Sequence, residues 1–117
     1  MAIKRERVEA GKVDFRALDT GKRVGPIHPG KILRKEFLEP IGITPYRLAK
    51  GLNVPLTRIA AILAGRRSIT AETALRLSRY FRTSKAFWLN LQTAYDLEVV
   101  SVRLGSRLIA EVKPLAA

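Results

Sequence analysis

Residues 44–65, TPYRLAKGLNVPLTRIAAILAG, decide the fold. Thr44 is a good N-cap, and Pro45 suits a first helical turn, where its missing N–H is no loss. Leu48, Ala49 and Leu52 then fall at helical spacing on one face. Asn53 tolerates the left-handed conformation that a sharp corner needs, and Val54 plugs the corner. Pro55 opens a second helix that buries Ile59, Ile62 and Leu63 and stops at Gly65. Its outward positions are Leu56, Thr57, Arg58 and Ala61. Two short helices with a tight turn make a helix-turn-helix, whose second helix is shaped to enter a major groove.

That pattern occurs in many all-α domains that bind no nucleic acid, and the surrounding charge is what decides. Between Thr44 and Lys85 stand nine basic residues and one acid, Glu72, which is +8 of the chain's net +12. A solvated face is usually mixed in sign. A cluster of one sign on this motif is the footprint of a polyanion binder.

The 117 residues make one domain with tails, and 47% hydrophobic content is enough for a core. With no cysteine, disulfides, thiolate zinc sites and a cysteine nucleophile are excluded. No apolar run reaches the roughly 18 residues of a membrane span, and MAIKRERVEA lacks a signal segment, so the expected location is the cytoplasm. His28 is the only histidine, so no metal site is expected and His28 reads as a loop or capping residue. Glu36 and Glu39 read as a solvated pair on one helix. No glycine-rich phosphate loop, carboxylate pair or nucleophile with a base marks an enzyme, and no cofactor is implied.

Residues 1–25 alternate in charge and read as a basic arm that is flexible in isolation. Residues 26–98 form the folded unit. Pro29 begins a helix that buries Leu33, Phe37 and Leu38, Pro40 stops it, and Gly42 makes the corner. Thr70 starts another helix, to about Phe81, with Ala74, Leu75, Leu77, Ser78 and Phe81 inward. Ser84 caps a further helix from Lys85, with Phe87, Trp88, Leu91, Ala94 and Tyr95 on one stripe. Residues 99–117 form an extension, read as a helix broken near Gly105 and ended by Pro114.

HPGKILRKEFLEPIGITPYRLAKGLNVPLTRIAAILAGRRSITAETALRLSRYF, followed by FWLNLQTAYDLE, resembles the HigA antitoxins. These are Xre/Cro-like helix-turn-helix proteins of bacterial toxin–antitoxin modules. The resemblance covers about residues 27–98. It implies an all-α, lambda-repressor/Cro-like bundle of about five helices and a homodimer that represses its own operon. It also implies a partner, a HigB-type toxin with a small RelE-like mRNA-cleaving fold, neutralised by binding. The chain departs from the family at Asn53, where glycine is usual, at Gly51, which should cost helix stability, and at Arg82, where a glycine is common.

On this reading Leu56, Thr57, Arg58 and Ala61 meet base edges. Thr44, Arg47, Lys50, Arg66 and Arg67 hold phosphates. A dimer surface is expected from Trp88, Leu91, Leu97, Val100, Leu104 and Leu108. Two other readings stand beside it: a stand-alone regulator without a toxin, and an RNA-binding module. The second would need exposed aromatics for base stacking.

Overall fold

The computed structural model describes residues 25–116. The arm read at residues 1–25 thus lies, but for Gly25, outside the described residues. Helix is the only regular structure among them. Three consecutive segments, Pro29–Ile32, Leu33–Leu38 and Glu39–Ile41, form α1. Then follow α2 (Pro45–Leu52), α3 (Leu56–Leu63), α4 (Ala71–Phe81), α5 (Phe87–Leu104) and the short α6 (Ser106–Glu111).

Helix α1 does not stop at Pro40. It runs on to Ile41 and ends at Gly42, where φ is +82°. Leu33–Leu38 is a π-helical stretch, and the Glu39 N–H donates to the carbonyl of Arg34, five residues back. A proline inside an α-helix lacks a donor and clashes with the carbonyl four residues before it. The wider π turn shifts the bonding register and makes room for the ring. The start of α5 also differs from expectation. The helix begins at Phe87 after a turn at Lys85-Ala86, and the Ser84 hydroxyl caps nothing. Its carbonyl accepts the Phe87 N–H instead. The break at Gly105 is where the sequence places it, between α5 and α6.

The core forms where α1 to α5 converge: Leu33, Phe37, Leu48, Ile59, Ile62, Leu77 and Trp88 are buried. Two expectations fail here. Leu75 is 52% exposed, on the outer face of α4. Trp88 is fully buried, with its ring 4.8 Å from Phe37 and 4.9 Å from Phe87, so it closes the monomer's own core and is unavailable to a second subunit. Leu91 is half-buried and packs on the same cluster. Helix α1 needs a lid over Phe37, and the first turns of α5 supply it.

The corner between α2 and α3 is built as read. The Thr44 Oγ1 accepts the Arg47 N–H at 3.1 Å, and Asn53 is left-handed with φ +59°. Gly51 has a reason beyond helix propensity. A methyl group there would run into the Tyr80 ring, so glycine lets α4 seat against α2. Arg82 ends α4 in the left-handed region with φ +62°. That conformation disfavours any side chain with a Cβ. Arg82→Gly is therefore expected to stabilise the domain by about 0.5–1 kcal/mol. A urea midpoint no higher than wild type would refute this.

Candidate nucleic-acid interface

The outer face of α3 is small and open. Leu56 is 44% exposed, Thr57 is exposed, and Arg58 and Ala61 are half-buried. The centre of that face includes two residues that the sequence reading passed over, Ala60 and Ala64, both exposed. A helical wheel could have found them, since they fall opposite Ile59 and Ile62. Small side chains let a helix backbone approach the floor of a groove about 12 Å wide. The Arg58 Nε is buried without a hydrogen-bond partner among the described residues, which leaves the two terminal nitrogens as its contact groups.

On the α2 side, Thr44, Arg47 and Lys50 are exposed. The Thr44 oxygen already accepts a backbone N–H, so its own O–H stays free to donate. Lys50 Nζ lies 5.7 Å above the Tyr46 ring, a cation–π contact that ties it to its own helix. Tyr46 itself is 60% exposed beside Leu56, across a shallow groove between α2 and α3. No spacing rule pointed to it.

Arg66 and Arg67 leave the far end of α3 on a pinned loop. The Gln92 Oε1 accepts the Ile69 N–H at 2.8 Å, and its Nε2 donates to Asp96 at 2.9 Å. Ile69 is buried beneath the loop. His28 is the cap that the sequence suggested. Its Nδ1 accepts the Gly30 N–H at 2.9 Å, and its ring meets Tyr95 edge-on at 4.9 Å. Burial lowers the pKa of this imidazole from the ordinary histidine value, against the upward pull of the Arg67 backbone and the Asp96 carboxylate. The neutral ring is what the cap requires. Not every cation of the cluster faces outward to a ligand. Arg76 bridges Glu72 and donates to the Leu52 carbonyl at 2.9 Å, capping α2 from α4.

Among the described residues only Tyr46 is an exposed aromatic on this surface, and one ring makes no stacking platform. Phe87 and Trp88 are core residues, and Phe81 packs against them. No described helix is long and apolar enough to cross a membrane.

A family model described as "Helix-turn-helix" matches residues 35–88. The antitoxin HigA of Pseudomonas aeruginosa, solved with the higBA promoter, superposes with a TM-score of 0.75 at 44% identity, over 78% of this chain and 99% of that one. This chain belongs to the HigA-type helix-turn-helix antitoxins. An addiction module antidote protein of the HigA family from Coxiella burnetii gives a TM-score of 0.75 at 47% identity, over 79% of this chain and all of that one. Virulence-associated protein I of Dichelobacter nodosus is 51% identical over 84 residues, 71% of this chain and 78% of its own length. The HigA-type match therefore spans the bundle and the exposed face of α3 together.

Proposed function

We propose that this chain is a sequence-specific operator-binding antitoxin. It represses its own operon as a dimer and neutralises a HigB-type mRNA-cleaving toxin by binding it. It works in the bacterial cytoplasm, on nucleoid DNA, without metal or cofactor, and it catalyses nothing. The observation that carries this reading is the open face of α3. Small residues there are flanked by Leu56 and Arg58, on a scaffold shared with an antitoxin solved on its promoter.

In this reading Thr57 and Arg58 read base edges, while Leu56, Ala60 and Ala61 touch thymine methyls. Thr44, Arg47, Arg66 and Arg67 hold phosphates, with Lys50 at the margin. Arginine pairs through two hydrogen bonds with guanine O6 and N7. Arg58→Ala is expected to cost about 1–3 kcal/mol on the operator and to relax preference at one base position. Competition binding against a set of single-base operator variants tests it. Weakening by the same factor on every sequence would make Arg58 a phosphate contact. Co-purification with the product of the adjacent gene separates the antitoxin from a stand-alone regulator.

A further inference from the structure

Helix α1 carries cations for which the operator reading so far has no use. Lys31, Arg34 and Lys35 are exposed and line one wall of a groove. The other wall is the C-terminal end of α3, Leu63 to Gly65. Arg66 and Arg67 follow directly from that end. None of the three α1 cations has an ion-pair partner among the described residues. Glu36 and Glu39, the acids of the same helix, stay out of the groove lining.

Compensation of the α3 dipole does not account for the cluster. A helix C-terminus carries about half a charge and acts within its last turn. Three of its last four carbonyls are already met, since Ala64, Gly65 and Arg66 donate back to Ala60, Ile62 and Ala61. A merely solvated wall would mix its signs.

The geometry of groove binding offers an occupant. A helix lying in a major groove has a phosphate strand on either side of it. Thr44 and Arg47, at the start of α2, serve one strand. The other strand falls to whatever borders the far end of α3, which is the Arg66-Arg67 loop and, beyond it, the cationic face of α1. We propose that Lys31, Arg34 and Lys35 hold the phosphate backbone flanking each half-site, extending the contact outward from the recognition helix. This rests on the operator-binding reading, and it is supported by charge complementarity and by continuity with the α3 surface.

The test is hydroxyl-radical footprinting of the DNA upstream of the chain's own coding sequence. The wild type is compared with a Lys31→Ala, Arg34→Ala, Lys35→Ala variant checked for an unchanged melting curve. The variant is expected to lose protection on the outer flanks and keep it in the centre. Its plot of log K against log salt should flatten by about 2.7 per protomer, at roughly 0.9 for each phosphate contact. On a duplex trimmed of those flanks, the two proteins should bind alike. Should the triple variant fold poorly, Lys31→Gln with Lys35→Gln is expected to flatten the slope by about 1.8. Identical footprints and slopes overturn the inference while leaving operator binding intact. A variant that still lacks central and flanking protection together when its concentration is raised to restore occupancy also overturns the inference. A wild type that leaves no footprint overturns the operator reading itself.

Discussion

Gly30→Ala is expected to destabilise this domain by about 3 kcal/mol or more, although it adds a single methyl group. Gly30 is buried in the first turn of α1, and its Cα faces the backbone of α3. A methyl there would overlap the Ile62 carbonyl oxygen. Overpacking usually costs about 1–3 kcal/mol, because neighbouring side chains can change rotamer to relieve it. Here the obstacle is main chain inside a helix, so α1 and α3 must move apart. The His28 ring also lies beside the added group, so the cap on the Gly30 N–H is disturbed at the same time. For a domain of this size the shift should lower Tm by more than about 10 °C. Differential scanning calorimetry reads it directly. Gly51→Ala is the comparison, since the atoms it would meet belong to the Tyr80 side chain, which can swing away. Equal melting temperatures for the two variants would show that α1 is not locked to α3 through this contact.

The Gly30 contact also shows what the sequence leaves unsaid. The helix-turn-helix was legible because its determinants are local. The Thr44 cap, the left-handed Asn53 and the inward triplet of Ile59, Ile62 and Leu63 each follow from a residue and its near neighbours. The same holds for the break at Gly105 and for the capping role of His28. The failures involve contacts between distant helices. Pro40 reads as a stop unless the π turn before it is known. Trp88 reads equally well as core or as interface, and only the position of Phe37 decides. Gln92 looks like a polar interruption of an aromatic stripe, yet it pins the loop that carries Arg66 and Arg67. Nothing in its spacing announces a partner 23 residues away.

Loss of the dimer is expected to have the largest effect on operator binding. Most of the large apolar residues that the monomer leaves exposed lie beyond the core-facing start of α5. Leu97 is 64% and Val100 36% exposed, with Leu104 half-buried one turn on and Leu108 of α6 49% exposed. Leu97, Val100 and Leu104 sit at i, i+3 and i+7, a single stripe along the helix. With Trp88 and Leu91 turned to the core, this stripe remains as the surface on which two copies would pair. A two-fold axis there would present two α3 helices to half-sites about 34 Å apart, or a multiple of that. Joining two reading heads makes the second contact effectively intramolecular, which is worth about 10²–10⁴ in apparent affinity. Leu97→Asp with Val100→Asp puts two charges on each side of the stripe. Because both residues lie outside the buried core, the monomer should stay helical and melt near the wild-type temperature. Sedimentation equilibrium at tens of micromolar should then report a single-chain mass. Affinity for a palindromic operator should fall by about 10²–10⁴, while binding to an isolated half-site should change little. A variant that remained dimeric by mass would remove this stripe from the interface. One that became monomeric but kept full operator affinity would mean that DNA, not the stripe, brings the two copies together.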